Sequence, residues 1–500
     1  MPVSDAVDLL IVGGGINGTG IARDAAGRGL SVLLVEKGDL GGATSSASSK
    51  LIHGGLRYLE QFEFRLVAEA LREREVLLHA APHLVHPMRF VMPQVPELRP
   101  AWMIRAGLFL YDLLAKRQTL PGSRTVDLTQ PPYNHGLQPA LRKGYMYSDC
   151  RVDDARLVIA TARSAAALGA DIRPRTACSA LCRDGVRWRV TLQPARGPAV
   201  VVFAKVVVNA AGPWAKSVLT DIAGLEAPFG LRLVQGSHIV VPGLYDGDHA
   251  YILQNDDRRV IFAYPYESRY TLIGTTEVEL QGTPESCTPG DAEVSYLCRA
   301  VNRYFRRNVT EQDVVHRYAG IRPLFDDGAG NPSQVTRDYV LRMSGEPGAA
   351  AMLSVFGGKI TTYRRLAEQA MDALRPWFPG LKSCWTRQAA LAGGDLGAGG
   401  LAGFMQQAEA DYPWLPQTTL HALALRHGSG LREVLSGADT LAAMGTDFGA
   451  GLYAREIDYL VNHEWATTGE DVLWRRTKCG LHLTPAQRAA VSAYVERCVH

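Results

Sequence analysis

Near the start of the chain, the pattern of apolar and polar residues changes from that of a strand to that of a helix and back. Residues 8–12 (DLLIV) form a short apolar run, and the following IARDAAGRG has the spacing of an amphipathic helix. SVLLVE then predicts a second strand that ends at Glu36. A strand, a helix and a second strand in this order predict an α/β fold of the Rossmann type.

The middle of the chain contains segments with helical spacing and segments with the alternation of strands. Residues 152–170 predict a helix capped by Asp153 or Asp154, and 205–215 (KVVVNAAGPWA) predict a strand that ends in small residues. Small side chains at the carboxyl end of a strand leave room for a ring system beside the backbone. Residues 231–280 alternate with period 2 (LRLVQGSHIVV, RVIFAYPYE, YTLIGTTEVEL), which predicts an antiparallel sheet that belongs to a substrate domain.

The last third of the chain returns to a strand and a helix and then becomes helical. AMLSVFGGKITTYRRLAEQAMDAL predicts a strand, a glycine loop and a helix whose N-terminus could face a cofactor ring. After about residue 385 a Gly/Ala-rich linker leads into a largely helical tail that ends at His500.

A glycine motif lies between the first strand and the first helix. Gly13, Gly15 and Gly18 fit G-x-G-x-x-G, and Glu36 ends the next strand. The first glycine makes the tight turn, the second lets the backbone approach a pyrophosphate, and the third allows close packing of helix and strand. The glutamate can accept from a ribose hydroxyl. The motif predicts a dinucleotide site without deciding between NAD and FAD.

The next stretch, ATSSASSKLIHGGLRYLE (43–60), allows two interpretations. Its hydroxyl side chains and backbone amides could follow a second face of a large cofactor, with Lys50 near a phosphate. Its small polar residues also suit a flexible loop.

Composition limits the functional classes. A formal net charge of +3 is too even to indicate a nucleic-acid binder. Eight cysteines are scattered, and Cys178 and Cys182 have no second Cys or His pair at zinc spacing, so we expect free thiols and no metal site. No signal peptide or apolar run of about 18 residues is visible, which predicts an intracellular protein, either soluble or held at a membrane surface.

The motifs are distinctive enough to indicate a family. GGGINGTGIARDAAGRGLSV, ATSSASSKLIHGGLRYLE, YSDCRVDDARL, NAAGPW, GSHIVV, GTTEVE, GIRPL, TRDY, SVFGGKITTYR and HEWATTGEDVLWRRTK occur in one colinear series. In this series the sequence resembles the FAD-dependent glycerol-3-phosphate dehydrogenases of the quinone-linked respiratory type. The resemblance implies FAD, oxidation of sn-glycerol 3-phosphate to dihydroxyacetone phosphate, and transfer of electrons to ubiquinone or menaquinone in the membrane.

The resemblance also implies roles for individual residues. The cofactor residues would be Gly13, Gly15, Ile16, Asn17, Gly18, Glu36, Thr44, Ser45, Ser49, Lys50, Ala211, Gly212, Trp214, Gly358 and Thr361. The substrate residues would be Arg57, Thr275, Arg322, Arg337 and Lys359, and the catalytic residues His53, His238, Arg322 and Lys359. Arg317, although close in sequence, is not assigned to the site.

Reaction chemistry explains these residue types. A phosphate dianion calls for several guanidinium groups, and an alcohol that loses a hydride also needs a base for its proton. A neutral histidine is the usual base, and His53 and His238 are both left open for this role. A cation such as Lys359 can stabilise negative charge on a ring. Each residue also has a structural alternative, a surface ion pair for an arginine or a satisfied polar group for a histidine.

With this resemblance the fold class becomes a Rossmann-like FAD-binding domain, an antiparallel-sheet substrate (cap) domain and a mostly helical C-terminal domain. We expect 1–80, 150–225 and 345–385 in the first, 81–149 and 226–344 in the second, and 386–500 in the third.

A membrane surface is the expected location. Residues 101–117 (AWMIRAGLFLYDLLAKR) suit either a buried core helix or a helix lying among lipid headgroups, with Arg105, Asp112 and Lys116 on one stripe. Basic residues in 303–307 and 474–478 would add attraction to anionic lipid. We therefore expect peripheral attachment to the cytoplasmic face of the inner membrane. A homodimer is left open, and no nucleic-acid partner is expected.

Three other functions share parts of this pattern. A soluble glycerol-3-phosphate oxidase would have a similar flavin and substrate site but would reduce oxygen. An amine or amino-acid oxidase could use the same scaffold, although the arginine cluster argues against it. A flavin-stabilised redox sensor or scaffold would have no turnover.

Overall fold

The computed structural model describes residues 6–95, 97–115, 118–326 and 338–499. The strands in these residues are β1 (Ala6–Val12), β2 (Val32–Val35), β3 (Leu51–Ile52), β4 (Val85–Pro93), β5 (Arg124–Asp127), β6 (Lys143–Val152), β7 (Asp171–Arg173), β8 (Thr176–Asp184), β9 (Arg187–Pro194), β10 (Val200–Asn209), β11 (Gly230–Pro242), β12 (Ala250–Gln254), β13 (Val260–Tyr266), β14 (Tyr270–Gly274), β15 (Val278–Glu279), β16 (His316–Asp326), β17 (Val340–Ser344), β18 (Ala351–Phe356), β19 (Asp447–Gly449) and β20 (Leu452–Tyr453). The α-helices are α1 (Ile16–Gly27), α2 (Phe64–Ala80), α3 (Ala101–Leu113), α4 (Asp154–Ala167), α5 (Ala215–Ser217), α6 (Asp291–Asn302), α7 (Tyr363–Ala373), α8 (Gly400–Asp411), α9 (Gln417–His427), α10 (Leu431–Val434), α11 (Ala454–Glu464) and α12 (Pro485–Val499).

The first sheet has a parallel centre that gathers three loops at one edge. Its main strand order is β17-β18-β10-β1-β2-β7, and β18, β10, β1, β2 and β7 run parallel. The carboxyl ends of β1, β10 and β18 lead into the loops at Gly13, Ala210 and Gly357. Since parallel neighbours end at the same edge, these loops meet there, where open α/β sheets bind ligands.

The second sheet is mainly antiparallel, as the period-2 segments predict. Its main order is β15-β11-β14-β13-β12-β4-β6-β3, with β16 also paired to β11. In this register His238 of β11 stands opposite Gly274 of β14 and Tyr318 of β16. The long β11–β16 pair therefore brings His238 and Arg322 into one sheet, although 84 residues separate them in the chain.

Local signals in the sequence are confirmed. The side chain of Asp153 caps α4 by accepting from the backbone N–H of Arg156 at 3.1 Å. The hairpin at Asp184 and Gly185 joins β8 to β9, with Gly185 at φ 61°. The α/β fold with a helical C-terminal part is also as predicted. The residue bounds of the three domains stay a prediction.

Helices α1, α4 and α7 cover one face of the first sheet. Ile21 of α1, Leu157 of α4 and Leu366 of α7 are fully buried in one cluster with Leu9 and Ile11 of β1. Each such side chain contributes about 1.5–3 kcal/mol by leaving water. A separate cluster holds α8 to α12 together. Among the described helices, no candidate for a membrane span is found.

A buried histidine in the second sheet predicts a pH-dependent stability. His249 packs its ring against Tyr133, Tyr245 and Tyr251, and its two ring nitrogens find no hydrogen-bond partner among the described residues. Burial lowers its pKa to about 4, partly opposed by Asp248. The unfolded chain therefore takes up this proton below pH 6.5 while the native state stays neutral.

We expect His249→Phe to reduce the loss of stability in acid. Between pH 6.5 and about 4 this one group lowers the free energy of unfolding by up to about 1.4 kcal/mol per pH unit as the pH falls. Thermal unfolding of the FAD-loaded protein at pH 7.5 and 5.5 measures the effect. An equal shift of Tm in variant and wild type would contradict it.

Candidate active site

A cavity of about 1700 Å³ lies where the three loops of the first sheet meet the second sheet. It is lined by Gly13 and Gly15 after β1, by Ala211 after β10 and by Gly358 after β18. Typical small-molecule pockets measure about 300–1,000 Å³. The cavity therefore has room for a large cofactor together with a small substrate.

The glycine loop brings the N-terminus of α1 to this cavity. Gly13 adopts φ 114°, and a Cβ there would stand 2.5 Å from the carbonyl oxygen of Ala210. A Cβ on Gly18 would stand 1.9 Å from the carbonyl oxygen of Gly13, so only glycine allows this packing of helix on strand. Gly15 is the N-cap residue, and Ile16 and Asn17 line the cavity in the first turn. The first-turn N–H groups and the positive dipole end suit a pyrophosphate.

Glu36 lies at one end of the cavity. Its carboxylate accepts from the backbone N–H of Gly14 at 2.7 Å and from that of Gly38 at 2.8 Å. Burial raises its pKa, against the lowering by these two bonds. The carboxylate is thus held in a fixed orientation beside the glycine loop, where a ribose hydroxyl can reach it.

Residues 43–50 are ordered by bonds to distant parts of the chain. Thr44 Oγ1 donates to the carbonyl of Ile321 at 2.8 Å, and Ser45 Oγ accepts from the N–H of Ile16 at 3.0 Å. Ser49 Oγ lies 2.9 Å from Nε2 of His238. These three residues line the cavity. The stretch forms one wall of the site, so the interpretation as a flexible loop is wrong.

The structure does not bring the Lys50 side chain to the cavity, contrary to its expected place near a phosphate. Its ammonium is buried and donates to Asp154 Oδ1 at 2.7 Å and to the carbonyl of Ser46 at 2.8 Å. This ion pair anchors the 43–50 stretch to α4. Gly18 also lies below the surface of the cavity, because its place is the contact between helix and strand.

The remaining predicted cofactor residues line the cavity at the other two loops. They are Ala211, Gly212, Trp214, Gly358 and Thr361. Asn17 Nδ2 donates to the carbonyl of Gly357 at 3.2 Å, which links the first loop to the third. Trp214 stacks under the Lys37 ammonium, 3.8 Å from the ring centre, and donates to Glu285.

A group of cations lies farther along the cavity. Arg57, Arg322 and Lys359 all line it, together with Thr275. Arg322 Nη2 lies 3.4 Å from Thr275 Oγ1, a distance at the long end of hydrogen bonding. Arg337, assigned to the substrate from the sequence, lies outside the described residues.

Two further residues of this group were not singled out from the sequence. Glu277 accepts from Arg322 Nη1 at 3.0 Å, and its second oxygen lies 4.0 Å from Arg57 Nη1. The Lys359 ammonium stands 3.8 Å above the ring of Tyr58. Both residues fall in the motifs GTTEVE and HGGLRYLE. Glu277 lies two residues after Thr275 and Tyr58 directly follows Arg57, so their closeness to predicted substrate residues was the signal that could have identified them.

His53 and His238 both line the cavity, and both are neutral near pH 7. Burial lowers the pKa of His53 to about 4, with further lowering from Lys359 and Arg322. Burial lowers the pKa of His238 to about 3, with further lowering from Lys50 and Arg322. The His238 ring is fixed by Ser49 and stacks on Tyr318 at 4.9 Å. A neutral imidazole can accept a proton, and here two are available.

Comparison with known proteins identifies the class. Residues 8–364 match the family of FAD dependent oxidoreductases, and residues 384–498 match the C-terminal domain of alpha-glycerophosphate oxidase. The glycine cradle, the fixed Glu36 and the size of the cavity fit FAD. The protein is an FAD-dependent oxidoreductase.

Relatives narrow the class to a family. The chain is 50% identical to a glycerol-3-phosphate dehydrogenase of Pseudomonas aeruginosa, over 99% of this chain and 96% of the relative. It is 50% identical to the D-erythritol 1-phosphate dehydrogenase of Brucella abortus, over 98% of each. It is 47% identical to the aerobic glycerol-3-phosphate dehydrogenase of Escherichia coli, over 98% of this chain and 97% of the relative. The chain belongs to the family of FAD-dependent glycerol-3-phosphate dehydrogenases.

A solved structure agrees with this assignment. The glycerol-3-phosphate dehydrogenase of Bacillus halodurans complexed with FAD superposes with a TM-score of 0.74 at 26% identity, over 99% of this chain and 94% of that chain. A glycine oxidase of Bacillus cereus, at 17% identity and a TM-score of 0.54, shows the shared fold alone.

Proposed function

We propose that the enzyme oxidises sn-glycerol 3-phosphate to dihydroxyacetone phosphate. The observation that carries the proposal is the group of Arg57, Arg322 and Lys359 beside the neutral His53 and His238, in the cavity that fits FAD. The names of the Pseudomonas and Escherichia relatives support this substrate.

The residues divide the work between binding and proton transfer. Arg57 and Arg322 bind the phosphate, because guanidinium groups offer paired donors to its oxygens. FAD, when bound, supplies the hydride acceptor. One imidazole of the pair takes the proton of the C2 hydroxyl, and Lys359 stabilises negative charge that develops near it.

Glu277 also takes part in this mechanism, as an anion that the protein itself supplies to the arginines. It is bonded to Arg322 and close to Arg57, so it keeps both guanidinium groups oriented toward the cavity before substrate arrives. A phosphate that approaches these arginines competes with this carboxylate. Glu277 thus favours a dianion, which interacts with two arginines more strongly than a single charge does.

The direct test is anaerobic. Glycerol 3-phosphate added to the yellow FAD-loaded protein without oxygen should bleach the flavin absorbance within seconds. An absorbance that stays unchanged would contradict the glycerol-3-phosphate dehydrogenase and oxidase alike, and would leave an enzyme with another substrate, or a sensor or scaffold without turnover.

A second candidate substrate is D-erythritol 1-phosphate. The Brucella relative named for that activity is as similar to this chain as the Pseudomonas dehydrogenase. Both substrates carry the phosphate that the arginines would bind, and they differ in length beyond the reacting carbon. The ratio of kcat/KM for the two compounds decides which one the site prefers.

We propose a membrane quinone as the electron acceptor. Trp102, Phe109 and Leu113 of α3 are each more than 60% exposed, while Ile104 and Leu108 face the core. The helix is therefore apolar on both faces, which suits a position among lipid headgroups. Phe62, also largely exposed, is flanked by Gln61 and Glu63, which line the cavity.

One part of the expected lipid contact is wrong. Arg476 and Lys478 of the 474–478 segment are buried in ion pairs with Asp39 and Asp153, so they cannot reach lipid. Arg303 and Arg307 are exposed, in surface ion pairs with Asp256 and Asp313, and Lys116 lies outside the described residues. Reduction of a quinone analogue, measured against peroxide yield, separates the dehydrogenase from the oxidase.

We expect the double substitution Trp102→Ala and Phe109→Ala to weaken binding to anionic vesicles at least about 10-fold, because two large apolar side chains no longer leave water. Cosedimentation at low salt measures this binding. Val186→Ala, an exposed apolar position in the β8–β9 hairpin, is the matched control. Equal binding of the double variant and the control would contradict the proposed surface.

Attachment to the cytoplasmic face of the inner membrane follows from the same proposal, and fractionation of lysed cells tests it. The homodimer stays a prediction, which sedimentation velocity of the FAD-loaded protein tests.

A further inference from the structure

The C-terminal helical part supplies part of the wall of the cavity. Thr468, Glu470, Asp471 and Arg475 line the same cavity as Glu36. They lie in the loop after α11 and in the π-helical turn Asp471–Arg476. The sequence assigned this segment no role at the cofactor site.

These residues lie at the Glu36 end of the cavity. Arg175 links them to it: its backbone N–H donates to the carbonyl of Gly38 at 2.8 Å, and the next N–H, of Thr176, donates to the carbonyl of Glu36 at 2.8 Å. The Arg175 guanidinium forms an ion pair with Asp471 and a short bond to Thr467. Glu36 marks the ribose position, so this is the adenosine end of a bound FAD.

The same turn also holds the loop that follows Glu36. Buried Asp39 accepts from Arg475 Nε at 2.5 Å, and from Arg476 Nη1 and Nη2 at 2.6 and 2.9 Å. Two residues later, the N–H of Gly41 donates to the carbonyl of Gly14 at 3.0 Å. The C-terminal part is thereby connected to the glycine loop through one short segment.

The backbone at this contact is in strained conformations. Arg175, Trp465 and Lys478 have φ values of 53°, 57° and 64°. Non-glycine residues keep such conformations only where their surroundings fix them. Here the fixing bonds are those between the two parts of the chain, including the bonds from the Lys478 ammonium to Asp153 at 2.8 and 3.1 Å.

We propose that residues 467–478 are part of the FAD site and hold its adenosine half. FAD binding and docking of the C-terminal part then stabilise each other, because coupling between two binding events is reciprocal. This inference depends on the cofactor alone, so it stands or falls independently of the substrate.

The first test measures the affinity of deflavinated full-length protein for FAD. Arg475→Gln removes a guanidinium that both lines the cavity and holds Asp39, and we expect the Kd for FAD to rise about 10- to 100-fold. Arg163→Gln is the matched control, since its pair with Glu433 joins α4 to α10 away from the cavity. We expect that control to stay within about 3-fold of wild type.

The second test uses the wild-type protein and does not depend on the folding of a variant. Hydrogen exchange of residues 467–477 should slow at least about 10-fold when FAD is added, while α8, whose side chains bond within the C-terminal part, changes little. Unchanged exchange in 467–477, or an Arg475→Gln variant that binds FAD as tightly as wild type, would overturn the proposal.

Discussion

Replacement of the imidazole that accepts the substrate proton is expected to lower kcat about 10²–10⁴-fold. His53→Asn and His238→Asn are the two variants, and each serves as the control for the other. Anaerobic stopped-flow reduction of the flavin by glycerol 3-phosphate measures the effect, after the FAD content of each variant has been matched. The variant with the larger loss of the reduction rate identifies the acceptor.

The pH profile gives a second readout of the same group. The pKa values of His53 and His238 are lowered to about 4 and about 3, so both imidazoles are neutral above pH 5. Protonation removes the base, and we therefore expect kcat/KM to fall only as the pH drops below about 5. A limb at pH 6.5 that vanishes in one variant would show that the imidazole is not held in the neutral form.

Arg322→Leu is expected to lower kcat/KM for glycerol 3-phosphate by about 10²-fold or more. The substitution keeps an apolar stem but removes the charge-assisted bonds to the phosphate, each worth about 1.5–3 kcal/mol. Steady-state kinetics with a quinone analogue measures it.

Arg317→Leu is the matched control for this variant. Arg317 lies on the same strand, β16, and pairs with Asp291 at the surface. We expect its kinetics to equal those of wild type. Oxidation of unphosphorylated glycerol should be equally slow in Arg322→Leu and wild type, because glycerol has no phosphate with which Arg322 could interact. Equal kcat/KM for glycerol 3-phosphate in the two leucine variants would contradict a role in phosphate binding.

Features that depend on local spacing were predictable from the sequence. Gly13, Gly18 and Glu36 lie within 24 residues, and their roles follow from one strand, one turn and one helix. The cap at Asp153 is local in the same way. The antiparallel sheet followed from its period, although the pairing of β11 with β16 did not.

Features that depend on distant pairing were not predictable. Lys50 was expected near a phosphate. Its actual partner, Asp154, is 104 residues away, so nothing near Lys50 in the sequence indicates this ion pair. Arg476 was expected to face lipid because nothing near it in sequence indicates Asp39, which lies 437 residues earlier. A charged side chain is placed by the partner that the fold brings to it, and one sequence does not specify that partner.

The carboxylate of Glu277 bears on competition between the substrate and inorganic anions. Because its two oxygens are directed at Arg322 and Arg57, the resting site already contains an anion of its own. On the proposed function, the substrate phosphate exchanges with this carboxylate rather than entering an open cationic site. We therefore expect inorganic phosphate and sulfate to compete weakly with the substrate, because each must displace the same carboxylate without gaining the contacts of the carbon chain.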